Sequence, residues 1–468
     1  MASVGILAWL SHALGAPEAA VCLLLSILIG FPIAIVHRYT LYGKKPLHQH
    51  IFFITCGLGL GYWNYGHNIF HSLGALCGTY LILAVVGSTF ASVVLAFSFN
   101  MAYLLCGYYT TSTENYDIKW TMPQCVLTLR LIGLAFNIWD GQKQQSELSE
   151  AQKQFALKER PSFLEIAAYT YFPGSFLIGP QFSMRRYLDY VNGRLFQQNT
   201  QSPKLPNCLI PGLIRSTVGF IYVIFYQVGS MYVSDQYLLD PRFAQQNYFK
   251  RLLIIGFWGH ICLYKYISCW LISEGVCTAF GLTYSGKDED GRMLWNGCEN
   301  VKLVTFEKAT RFHHYIMSFN INTNNWCAEY IYKRLKFLGS RSISQLTTLF
   351  FLAIWHGFHT GYYHCFMLEF LVMYTERHFV ALIDKNEKIQ SLLKSSRELQ
   401  ILTWIFAKLF SSIFMGYCLI SFTFLSFARY NQVFASLYYT GHIIFLSYPI
   451  LAIFLDKVLR QKPRKKAE

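Results

Sequence analysis

Chemistry in this chain starts with an imidazole set where water is scarce. The run Trp355-His356-Gly357-Phe358-His359-Thr360-Gly361-Tyr362 interrupts a mostly apolar stretch, 346–370. A polar side chain at membrane depth is costly and is a functional hypothesis by default. An imidazole in low dielectric stays neutral, so His356 is able to accept a proton as a general base. His359, read as three residues on along one helix face, is the alternative base. A histidine in a helix is more often a satisfied core residue, and on this segment alone both readings stand. Upstream, 318–326 holds four asparagines and a threonine in nine residues. Amides do not titrate, but Asn320 and its neighbours can stabilise an oxyanion or orient a nucleophile; the plainer role is a helix cap. Between the two lies a basic, aromatic strip with Tyr330, Lys333, Arg334, Lys336 and Arg341. It suits phosphates or, equally, a positively charged anchor on the cytosolic side.

The elements that must position these groups are membrane helices. Hydrophobic residues make up 53% of the 468, charged ones only 14%, against about a quarter in ordinary soluble domains. Mean hydropathy is +0.30. Apolar runs near 19–36, 51–66, 73–108, 122–139, 209–233, 246–282, 342–383, 400–428 and 433–455 each reach or exceed the about 20 residues a crossing needs. The pattern predicts an all-α, polytopic transmembrane bundle of roughly eleven spans, read as a single membrane domain over 1–468. Aromatic residues, 17% of the chain, supply interfacial belts and the lining of a lipid cavity.

The formal charge of +15 sits in short loops and in the tail, 457–468, which reads as cytosolic. That placement follows the positive-inside rule and anionic headgroups and gives no support to a nucleic-acid role. The acid-leaning segment 109–118 reads as lumenal. Thirteen cysteines are scattered without a C-x-x-C pair, so neither a disulfide framework nor a metal site is expected. The first 15 residues lack a basic n-region, so no cleaved signal peptide is expected.

Taken together, the asparagine-rich segment, the basic aromatic strip and the intramembrane Trp-His-Gly resemble the membrane-bound O-acyltransferase family, in its lysophospholipid branch. Three further segments carry the resemblance: 115–123, beginning Asn115-Tyr116-Asp117; 171–183, containing Tyr171-Phe172-Pro173-Gly174; and 268–275, ending Ser273-Glu274-Gly275. The resemblance implies a buried catalytic chamber with His356 as catalytic base and Asn320 as its partner. It implies acyl-CoA as co-substrate, with no bound cofactor, and a lysophospholipid as acceptor: lysophosphatidylcholine first, then lysophosphatidylethanolamine and lysophosphatidylserine. It also suggests polyunsaturated acyl chains. Tyr330, Lys333, Arg334, Lys336 and Arg341 become candidates for the coenzyme A phosphates.

Lys465 and Lys466, fourth and third from the end, resemble the dilysine retrieval signal of the endoplasmic reticulum; a basic tail is the simpler reading. Membrane lipids are the surrounding partners, and monomer and homo-oligomer both remain open. A transporter is the rival of another class, with Glu274 and Glu369 as its isolated intramembrane charges. Within the family, acylation of a sterol, diacylglycerol or peptide is the alternative.

Overall fold

Apolar runs in a medium without water must satisfy their backbone internally, and here they do so as helices. The computed structural model describes residues 5–113, 118–196 and 205–459. The expectations resting on Glu114 to Asp117 and on Lys465 and Lys466 lie outside the described residues. Among those described, seven helices are long and apolar enough to cross a membrane: Glu18–Leu41, Pro46–Val86, Phe90–Thr111, Thr121–Asp140, Leu209–Leu239, Tyr248–Phe280 and Arg397–Phe424. A bent pair, Phe427–Ser436 with Thr440–Lys457, turns by 81° and would make an eighth. Their outward side chains are apolar, as at Val85, Ile224, Phe406 and Ile450, which suits lipid and not water.

By length and composition seven or eight crossings thus qualify among the described residues, against the roughly eleven expected, and two features of the helices account for the difference. The 41-residue Pro46–Val86 stretch is counted once, although a 3-10 turn at Gly66–Ile69 divides it into Pro46–Tyr65 and Phe70–Val86, the two spans that the sequence suggests. The run 342–383 is cut by Gly357, whose φ of 124° ends the Arg341–His356 helix after 16 residues. At about 1.5 Å per residue that helix falls short of a bilayer core of about 30 Å. Its successor, Thr360–Lys385, carries Glu369, Glu376 and Arg377 and does not qualify either.

Within the described residues the chain divides into two compact units. One comprises Met1–Ile224, Lys265–Val301 and Asn320–Phe337; the other comprises Phe225–Tyr264, Lys302–Phe319 and Leu338–Glu468. In the first, Phe90–Thr111 packs on Phe70–Val86 and Thr121–Asp140, and Pro46–Tyr65 packs on Phe163–Thr170. In the second, Thr360–Lys385 is the hub, touching Arg341–His356, Arg397–Phe424 and Thr440–Leu459.

Thr121–Asp140 has the lowest hydropathy of the seven, 1.2, yet is 83% buried, because it carries a polar group inward. Arg130 is 3% exposed. Its Nε donates to Gln181 Oε1 at 3.0 Å. Nη1 reaches the carbonyls of Tyr169 (3.2 Å) and Thr170 (3.4 Å). Nη2 reaches Ser175 Oγ (2.7 Å) and the carbonyls of Ser175 (3.3 Å) and Pro180 (3.2 Å). The rings of Tyr169 and Phe182 lie 5.3 and 4.9 Å from its carbon. A guanidinium has five N–H donors in a rigid fork, so one side chain folds the whole 169–181 segment around itself. Ser273 Oγ, on Tyr248–Phe280, then donates to the Gly174 carbonyl at 2.9 Å and to that of Gly179.

Close backbone contact ties Leu209–Tyr232 to the Tyr248–Phe280 helix. A Cβ at Gly275 would lie 2.4 Å from the Gly212 carbonyl, and one at Gly212 2.5 Å from that of Gly275. Small residues let membrane helices approach in this way.

Replacing Arg130 by Met leaves these acceptors without donors in an apolar interior, an expected loss of roughly 3 kcal/mol or more. Thermal unfolding in detergent, followed by fluorescence-detected gel filtration, should show a large fall for Arg130→Met. Arg130→Lys should recover only part, since one ammonium cannot span the acceptors. Native melting of both variants would refute this anchoring role.

Candidate active site

His356 is presented by a helix that ends on it. Ser340 caps the start, its Oγ accepting from the Ile343 amide at 3.3 Å, and Gly357 closes the end, its N–H bonding to the carbonyls of Ala353 and Ile354. A side chain at φ 124°, ψ −161° would be strained, a cost of about 1–3 kcal/mol. The next helix begins at Thr360, with His359 at its N-cap. His356 and His359 therefore sit on different elements, which corrects the expectation of one helix face at i+3. A Cβ at Gly361 would meet the Ser421 carbonyl at 2.0 Å, and the Gly361 amide donates to the Leu425 carbonyl at 3.0 Å. That contact draws Arg397–Phe424 up beside the imidazole.

Aromatic side chains wall the ring on several sides. Centroid distances are 4.6 Å to Trp355, 5.0 Å to Phe422, 5.3 Å to Tyr362 and 5.6 Å to Phe366. The ring is half-buried. Among the described residues neither ring nitrogen has a hydrogen-bond partner, so both remain available to a substrate.

Asn320 belongs to the other unit, as the residue before the Ile321–Tyr330 helix. It holds the left-handed conformation, φ 51° and ψ 44°, which asparagine tolerates better than most residues. It occupies the N-cap position without using its side chain as a cap. Among the described residues its amide has no partner. Asn322, by contrast, is committed: its Nδ2 donates to the Cys298 carbonyl at 3.2 Å. Of this pair, Asn322 is thus committed to the fold, and Asn320 keeps its amide uncommitted among the described residues.

The basic strip separates in the same way. Tyr330 is buried and its hydroxyl donates to Asn137 Oδ1 at 2.7 Å; burial pushes its phenol well up, keeping it a neutral donor. Arg334 pairs with the buried carboxylate of Asp140, Nη1 to Oδ1 at 2.9 Å, and lies over the rings of Phe136 and Trp139. Lys333 pairs with Glu329 at 2.6 Å. Lys336 and Arg341 are exposed, and among the described residues neither has a protein partner. Tyr330, Lys333, Arg334 and Lys336 share the unit of Asn320, while Arg341 shares that of His356.

Of the two intramembrane acids, Glu274 is held in an ion pair, with Arg215 Nε donating to Oε2 at 2.8 Å. Glu369 meets Cys365 Sγ at 4.0 Å, a neighbour one turn away. Sequence reasoning missed Arg130 and Asn300. A lone arginine inside an apolar run was the available signal for the first; the second lies in a polar loop and gives none.

Comparison with known proteins follows the same lines. The description of the membrane-bound O-acyltransferase family matches residues 105–454. Lysophospholipid acyltransferase 5 of Homo sapiens is 42% identical over 461 residues, 98% of this chain and 94% of its own length. Lysophospholipid acyltransferase 5 of Drosophila melanogaster is 42% identical over 468 residues, 99% and 93% of the two chains. A lysophospholipid acyltransferase of Schizosaccharomyces pombe is 28% identical over 383 residues, covering 80% of this chain and 71% of that one.

The two kinds of cation should separate by stability. Arg334→Ala strands the Asp140 carboxylate, 2% exposed, and should cost about 1–3 kcal/mol, partly offset by Lys143 at 3.0 Å. Lys336→Ala should melt with the native protein. Equal melting of the two variants would contradict this division.

Proposed function

Because the chain belongs to the membrane-bound O-acyltransferase family, we propose that it transfers a fatty acyl group from acyl-CoA to the free sn-2 hydroxyl of a lysophospholipid. The observation that carries this reading is His356: an imidazole with both nitrogens uncommitted, set among aromatic rings at the end of a helix. Similarity over nearly the full length to lysophospholipid acyltransferases supports the acceptor class and disfavours sterols, diacylglycerol and peptides. Transport has little to recommend it, since Glu274 serves an ion pair.

In this mechanism one nitrogen of neutral His356 takes the hydroxyl proton as the oxygen attacks the thioester carbonyl. A positioned base of this kind is worth about 10²–10⁴-fold. The Asn320 amide donates to the oxyanion that forms on the carbonyl oxygen. Collapse expels the coenzyme A thiolate, and the imidazolium returns the proton to it. Thiolate is a good leaving group, so no covalent enzyme intermediate is required. Lysophosphatidylcholine is the acceptor proposed first, with the ethanolamine and serine lysolipids after it, and polyunsaturated chains as donors. Coenzyme A is polyanionic, and Lys336 and Arg341 are the strip residues with charge to spare for its phosphates. The location proposed is the endoplasmic reticulum membrane, with the C-terminus in the cytosol.

Purified protein given labelled acyl-CoA and lysophosphatidylcholine should form phosphatidylcholine. His356→Ala should abolish transfer at native expression, while His359→Ala should retain it; an active His356→Ala protein sinks the assignment. Asn320→Ala should lower kcat by about 10²–10³-fold with little change in KM, and a change confined to KM would make it a binding residue only.

Neutralising Lys336 and Arg341 together should raise the KM for acyl-CoA and leave that for the lysolipid unchanged. Added salt should then weaken acyl-CoA use more in the native enzyme than in the variant, because exposed charges are screened. Equal KM shifts for both substrates would count against a coenzyme A contact.

A further inference from the structure

The first turn of the Ile321–Tyr330 helix has amide donors that its own N-cap would ordinarily satisfy. An N-cap asparagine accepts from the N–H of the second or third helical residue, from a β-region backbone. Asn320 holds the left-handed conformation instead and makes no such bond. The donors are taken by a residue distant in sequence. The Ile321 amide bonds to the Asn300 carbonyl at 3.1 Å, and the Asn322 amide to Asn300 Oδ1 at 3.0 Å.

Asn300 is itself fixed. It is 3% exposed, and its backbone N–H donates to Glu274 Oε1 at 2.7 Å. The other oxygen of that buried carboxylate receives Arg215 Nε at 2.8 Å. Arg215 Nη2 also reaches the Val301 carbonyl at 2.9 Å, so acid and base together clamp the 300–301 backbone. All these groups lie within one unit.

We infer that Asn300 is a positioning residue: it caps the Ile321–Tyr330 helix in place of Asn320 and so leaves the Asn320 amide free for the reaction. Glu274 and Arg215 hold Asn300 in register for that task. Without the Asn300 acceptor the Asn322 amide is unpaired, and the nearest side chain of capping type in sequence is Asn320. Asn320 then turns inward to its own helix, a shift that a β-region N-cap readily accommodates, and its amide is lost to the oxyanion. This inference rests on the role given to Asn320 above.

The test is a kinetic cycle with acyl-CoA and lysophosphatidylcholine, rates being expressed per folded molecule. Asn300→Ala should lower kcat on the order of 10²-fold, the scale of a small misplacement, with both KM values near native. Asn300→Asp keeps the acceptor and should restore most of the rate. In an Asn320→Ala background, Asn300→Ala should cost nothing further, because its effect passes through Asn320. A purely structural role predicts otherwise: the same added loss in both backgrounds, or altered KM values. Should Asn300→Ala fail to fold, Asn300→Gln decides the matter, since it keeps the amide and moves only the acceptor; native kcat there overturns the inference. A strong defect in Asn320→Ala beside native kcat in Asn300→Ala also overturns it and leaves the proposed role of Asn320 intact. Native activity in Asn320→Ala would overturn that role itself.

Discussion

A guanidinium at membrane depth, with no carboxylate beside it among the described residues, is the constraint from which much of the first unit follows. Moving a charge out of water costs several kcal/mol even after relaxation, and irregular backbone at that depth is tolerated only where its carbonyls find donors. Arg130 and the 169–181 segment answer each other's need: six oxygen acceptors surround one side chain. The folded segment then offers the Gly174 and Gly179 carbonyls to Ser273. The next residue, Glu274, holds Asn300, and Asn300 holds the start of the helix that follows Asn320. The order is one of hydrogen bonds made in turn, each using a group that would otherwise be an unsatisfied cost.

Both residues proposed for catalysis sit where a helix stops or starts, and the backbone there is unusual. Gly357 ends one helix at a positive φ, and Asn320 precedes another in the left-handed region. Regular helix would bury their polar groups in i to i+4 company. A terminus frees them, and it can do so cheaply only with glycine or asparagine at the turning point. The glycine at 361 performs a different service, letting Arg397–Phe424 come close enough to place Phe422 against the imidazole.

Charge is used sparingly in the basic strip. Arg334 and Lys333 are neutralised by Asp140 and Glu329, so their contribution is to fix Tyr332–Leu338 on the first unit. Cations paired to a carboxylate add little to the field felt by a polyanion. Lys336 and Arg341 are exposed and, among the described residues, have no protein partner.

Much of this protein was legible from residue order alone. Helical class and multiple crossings follow from hydropathy and from the cost of polar groups in lipid, which depend on composition over short windows. The helix boundaries did not follow, because window hydropathy cannot see that Gly357 cuts the 342–383 run or that a 3-10 turn divides Pro46–Val86 at Gly66–Ile69. Nor did the division of labour among like residues. Asn320 and Asn322 are equivalent by type and spacing, as are Arg334 and Lys336, yet one of each pair is committed to the fold and the other left free. That choice is made by partners such as Asn300 and Asp140, 20 or more positions away in the chain. Only tertiary structure brings them within hydrogen-bond reach.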